Sequence, residues 1–191
     1  MSKTWIGVGV VVVIALAIGM YAVGQYNSLV QARESVDASW AQVENVLQRR
    51  ADLVPNLVET VRGYASHERE VFTSVADARS RLLAAGTPED AAEANQALDS
   101  ALGRLLAIAE SYPQLRASES FTRLQDELAG TENRIAVERR RYNEEVRGFN
   151  ATIATFPTNL FAGMFGFQRR EYFEAEAGAR EAPRVDFGTR E

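Results

Sequence analysis

The single histidine, His67, lies in the run YASHERE. A His-Glu pair there invites the zinc-hydrolase arrangement, in which two imidazoles one helical turn apart hold the metal and the glutamate acts as base. Position 71 is Val71, so the second ligand is missing and His67 reads as a solvated or edge histidine beside Glu68 and Glu70. Glu132, Glu138, Glu144 and Glu145 suggest the carboxylate clusters of di-iron bundles, but those need a Glu-x-x-His pair from each of two helices, which one histidine cannot supply. Cysteine is absent, which removes thiolate ligands, thiol nucleophiles and disulfides. Neither a phosphate-cradling G-x-x-x-x-G-K-[ST] loop nor a G-x-G-x-x-G turn occurs. A serine nucleophile would have to recruit His67, and nothing marks its partners. No catalytic, cofactor-binding or metal-ligating residue is therefore assigned, and the chain reads as a protein that is not an enzyme and needs no cofactor. Glu138, Arg141 and Glu145 are spaced to support one another along a helix face in water.

Polar residues on or beside apolar seams carry more information. Arg33, Glu132, Asn133 and Arg134 are costly to bury unpaired, so a helical assembly must pair them or expose them. Their expected role is to set helix register. The net charge of -5 over 191 residues excludes the basic field that draws a protein to nucleic acid.

The elements that position these residues begin with a membrane segment. Trp5 to Val23 carries no charge, and at 1.5 Å per residue it reaches about 28 Å, close to the hydrocarbon thickness of a bilayer. Trp5, Tyr21 and Tyr26 stand near its ends, where aromatic rings favour headgroups. The run is longer than the apolar core of a cleaved signal peptide, the rival reading, so residues 1–24 are expected to be an uncleaved single-pass anchor. Lys3 on one side is balanced by Arg33 on the other, which leaves the side of the membrane open. Ala15 and Gly19 offer a small-residue pair for helix approach.

Beyond the anchor, apolar residues step by three and four, and no segment alternates with period two. Tyr26, Leu29, Val36, Trp40, Val43 and Leu47 form one stripe; Leu57, Val61, Tyr64, Phe72, Val75 and Leu82 form the next. Pro55 between them lacks an amide hydrogen and disfavours helix at Val54. Thr87-Pro88-Glu89-Asp90 is a helix start, with a hydroxyl cap, proline in the first turn and two acids at the positive end. A last helix carries Phe121, Leu124, Leu128, Ile135, Tyr142, Phe149, Ile153 and Phe156 in near-heptad spacing until Pro157. With a turn at Pro55, helices over 25–51, 54–84, 88–110 and 119–156 predict an all-α fold: the anchor followed by an antiparallel up-down four-helix bundle with long coiled-coil-like helices. The alternative keeps three helices, with a kink at Pro55. Residues 25–157 form the soluble bundle in this reading, 158–173 an aromatic amphipathic segment, and 174–191 an acidic, disordered tail.

An up-down bundle brings its fourth helix back toward the bilayer, so the aromatic segment is expected at the membrane surface. Phe161, Phe165, Phe167 and Phe173, with Arg169 and Arg170 beside them, are the candidate membrane contacts. The competing reading has these rings capping the open end of the bundle core.

Specific words of the sequence carry a resemblance. The apolar span is followed by YNSLVQARESVDASWAQVENVLQRRADLVPNLVETVRGYASHE, then LLAIAESYPQLRAS, TENRIAVERRRYNEEVRGFNATIATFP and GFQRREYF. In order and spacing, from Tyr26 to Phe173, these blocks resemble the LemA family. The resemblance implies a bacterial membrane protein with one N-terminal transmembrane helix and a soluble helical domain, and it brings no reaction, cofactor or catalytic residue with it. A scaffold or adaptor at the bacterial inner membrane is the expected function, with lipid, an unidentified protein and further copies of the chain as partners. Membrane remodelling and an enzyme with an unrecognised polar site are the alternatives.

Overall fold

The computed structural model describes residues 3–174, so the expected acidic tail lies, beyond Glu174, outside the described residues. The chain is all-helical, with no strand among the described residues. Its helices are α1 (Lys3–Arg62), α2 (Arg69–Ala84), α3 (Pro88–Glu110), α4 (Pro113–Arg116), α5 (Glu119–Ala154) and α6 (Thr158–Met164). α1 begins with the apolar run and is the one helix among the described residues long and apolar enough to cross a membrane. The large side chains of that run, from Trp5 to Val23, are all exposed.

The expected turn at Pro55 is not there. α1 runs through Pro55 and ends only at Arg62. A proline in a helix removes the hydrogen bond to the carbonyl four residues back, which here is Ala51, in a residue with no exposed surface. Arg79 of α2 fills that vacancy, its Nε donating to the Ala51 carbonyl at 2.7 Å. The freed acceptor is thus satisfied from another helix, and the heptad stripe continues: Leu29, Val36, Val43, position 50 and Leu57 are seven apart and all buried. The connection expected at Pro55 comes instead at residues 63–68. There the amides of Tyr64 and Ala65 close on the Val61 carbonyl, and the Arg62 guanidinium lies over the Phe72 ring at 5.3 Å.

The chain divides into two compact units, and α1 and α5 each contribute to both. The first contains α1 up to Val46 together with Glu132–Tyr172. Its core is Leu29, Val36 and Val43 from α1, with Ile135, Tyr142, Val146, Phe149 and Ile153 from α5.

The second unit contains Leu47–Thr131 with Phe173 and Glu174. α2 and α3 pair antiparallel, as the Arg104 to Ser74 hydrogen bond at 2.6 Å shows together with the facing of Arg81 and Ala97 nearer the connection. That connection is short because α3 starts where its sequence signals place it: the Thr87 hydroxyl accepts from the Asp90 amide at 3.1 Å, with Pro88 in the first turn. One position of the α1 stripe in this unit is polar. Arg50, 5% exposed, donates to Asn95 Oδ1 at 2.8 Å and pairs with Asp99, while Asn95 also donates to Asp99. A buried charge of this kind is tolerated only with such partners.

Candidate functional site

The first unit gathers its aromatic residues where α1 leaves the apolar run. Tyr21, Gln25 and Tyr26 succeed one another there, and α6 lies against them. Thr158, Phe161 and Phe165, at steps of three and four, share one helix face. The Thr158 hydroxyl donates to Gln25 Oε1 at 3.0 Å. Phe161 meets Tyr21 edge-on at 5.7 Å between ring centroids, and Phe165 meets Tyr26 at 5.1 Å. Such pairs add to the plain burial of apolar area. The opposite face of α6 has no cover: Leu160 is 59% exposed and Met164 74%, with Phe156 also 74% exposed in the turn before the helix.

α6 ends at Met164, and the turn that follows it contains Gly166, whose φ of 75° is the left-handed conformation that glycine adopts without penalty. The amide of Phe167 then closes on the Ala162 carbonyl at 2.9 Å. Residues 167–174 have no regular structure, and named side chains hold them in place. The Phe167 ring packs among Tyr26, Phe149 and the Arg33 guanidinium, at 6.0, 6.4 and 5.7 Å. Buried Asn150 reads the backbone of Arg170 twice, donating to its carbonyl at 2.9 Å and accepting from its amide at 2.8 Å. Tyr142, whose ring packs on Trp40 at 5.1 Å, donates its hydroxyl to the Glu171 carbonyl at 2.8 Å. The Arg170 guanidinium reaches both carboxylate oxygens of Asp37, at 2.8 and 3.1 Å. Burial pushes the Tyr142 phenol up to about 12; nearby Glu171 and Asp37 add to the rise and Arg170 opposes it. The phenol therefore remains a hydrogen-bond donor at any physiological pH.

The six expected membrane contacts are placed differently from one another. Phe161 and Phe167 are half-buried against α1, and Phe165 is 38% exposed. Phe173 is 2% exposed, and the Arg170 guanidinium is paired with Asp37. Arg169 is exposed. Phe156, Leu160 and Met164 of the same region also face outward, and the four-residue spacing of Leu160 and Met164 is the signal that could have paired those two. Of the seam polar residues, Arg33 has Phe167 and Glu34 as neighbours, whereas Glu132, Asn133 and Arg134 are exposed.

The arrangement holds residues 158–171 against α1 and α5. Among the described residues no three metal-ligating side chains gather, and His67 is exposed in the 63–68 connection. A groove between α2 and α3 is lined by alternating charges, Glu70, Asp77, Arg81 and Arg104 among them.

Comparison with known proteins finds that the LemA family profile matches residues 39–187. The chain is 29% identical to magnetosome protein MamQ 1 of Paramagnetospirillum magneticum (strain ATCC 700264 / AMB-1), over 83% of the chain and 68% of that protein. It is also 29% identical to magnetosome protein MamQ of Magnetospirillum gryphiswaldense, over 81% and 66%. Protein LemA of Metamycoplasma hominis is 27% identical over 92% of the chain and 80% of that relative. None of these names is that of an enzyme.

Proposed function

The chain belongs to the LemA family, and on that footing we propose that it is a non-catalytic scaffold or adaptor of the bacterial inner membrane. In this reading residues 1–24 anchor the chain by a single pass. Residues 25–157 form a helical bundle whose surface is offered to partner proteins or to further copies. The supporting observation is the continuity of α1: the apolar run and the core positions Leu29, Val36 and Val43 lie on one helix without a linker. A tether of that kind holds its cargo at a set height and orientation, and tethering raises the effective concentration of copies or partners. The test is site-specific photo-crosslinking of the full chain in native membranes, from exposed positions such as Asn133 and Glu132 of α5. Discrete adducts with a protein or with a second copy are expected. An absence of adducts from every exposed helical face overturns the scaffold reading.

A further inference from the structure

Outside the apolar run, the three most exposed large apolar side chains of the described residues are Phe156, Leu160 and Met164. Leu160 and Met164, one helical turn apart, share the outward face of α6, and Phe156 is exposed in the turn just before that helix. An isolated exposed apolar residue requires no explanation, but a contiguous patch marks a contact. The height of the patch is fixed by the other face of α6. Phe161 packs on Tyr21, which lies within the uncharged run, and Thr158 and Phe165 are held by Gln25 and Tyr26 just beyond it. If α1 crosses a bilayer, a helix in contact with Tyr21 lies where α1 emerges from the hydrocarbon, at the level of the headgroups. The clamp on residues 167–171 by Asn150, Tyr142 and Asp37 ties the far end of α6 down, so the patch is presented already ordered.

We infer that α6 and the turn before it dock on the bilayer surface, burying Phe156, Leu160 and Met164 at the boundary between headgroups and acyl chains. The occupant of the uncovered face is lipid, and the inference rests on the reading of α1 as an anchor. α6 serves as a foot that fixes the depth at which the anchor sits. The contact is apolar and therefore independent of lipid charge. The residues that make it are neighbours of the phenylalanines that face inward on α1.

The chain has no native cysteine, so Leu160→Cys and Met164→Cys carry a fluorescent label without background. The full chain is reconstituted in nanodiscs of phosphatidylcholine, with or without phosphatidylglycerol, containing lipids spin-labelled at a shallow or a deep acyl carbon; iodide serves as aqueous quencher. Val12→Cys reports the anchor. Asn133→Cys reports water, since it lies about 30 Å along α5 from Ala154 at 1.5 Å per residue. The expected result is several-fold stronger quenching of the Leu160 and Met164 labels than of Asn133 by the shallow spin label, equal in both lipids, with Val12 quenched most by the deep one. If Val12 is quenched by the deep label while Leu160 and Met164 behave like Asn133, the anchor stands and the foot is wrong. Labels at 160 and 164 shielded from both iodide and lipid overturn lipid in favour of a second copy. Quenching at 160 and 164 that requires phosphatidylglycerol overturns an apolar dock. Val12 open to iodide overturns the anchor and the foot together.

Discussion

Arg79 is predicted to matter because of Pro55. Replacing Arg79 by Met keeps most of the apolar stem but leaves the Ala51 carbonyl, in a fully buried residue, without the donor at 2.7 Å. Hydrogen bonds from a charged group contribute about 1.5–3 kcal/mol, and an orphaned buried acceptor costs about 1–3 kcal/mol. Since Arg79 is half-buried, the lower part of that range applies, about 1.5–2 kcal/mol. In a Pro55→Ala background the new amide can close the ordinary helical bond to Ala51, and Arg79→Met should then cost no more than about 0.5 kcal/mol, as for surface changes in general. The coupling energy between the two sites is therefore about 1–1.5 kcal/mol. Urea unfolding followed by helical circular dichroism on the four proteins of the cycle, each lacking residues 1–24, measures it through shifts in midpoint at constant slope. Equal costs of Arg79→Met in both backgrounds would refute the idea that Arg79 is the surrogate for the missing amide of Pro55.

The chain without residues 1–24 is predicted to be soluble and strongly helical, because the apolar stripes cover one another; substantial sheet by circular dichroism contradicts this. Arg50→Met leaves Asn95 and Asp99 without their buried cation and should lower stability by about 2–3 kcal/mol in urea unfolding. Thr87→Ala removes the α3 cap and should cost about 1 kcal/mol in the same assay. The pH limb follows from Tyr142. With its folded phenol raised from 10.0 to about 12, its contribution is complete below pH 10 and is lost as pH climbs through that window, since the unfolded state releases the proton first. Tyr142→Phe should flatten the alkaline fall in a pH series of unfolding curves.

Local chemistry made some elements legible in the sequence. The cap, proline and acids of residues 87–90 act within one turn, so the start of α3 is readable from four residues. The heptads of α1 and α5 were equally plain, and seven-residue spacing from Leu29 through Val43 to Leu57 could also have exposed Arg50 as a buried seam position. Pro55 misled because its compensation is not local. The donor that keeps the helix intact is on another helix, 28 residues along the chain from Ala51. The aromatic segment was recognisable by its density of rings, but composition cannot tell which face of a seven-residue helix meets α1. That is decided by where Tyr21, Gln25 and Tyr26 stand, and it turns Phe161 inward and Met164 outward. The same holds for Arg170, whose backbone is read by an asparagine 20 residues away and whose charge is taken by Asp37.

Extraction of native membranes with alkaline carbonate tests the central claim, that α1 anchors the protein in a bilayer. The full chain should stay in the pellet. A Val12→Arg, Ile14→Arg variant, with each charge costing about 2.5–3.5 kcal/mol at the centre of a span on insertion scales, should appear in the supernatant with its helicity kept. Full-length protein that washes off with carbonate, or a double variant that stays as firmly bound as the original, would contradict the account.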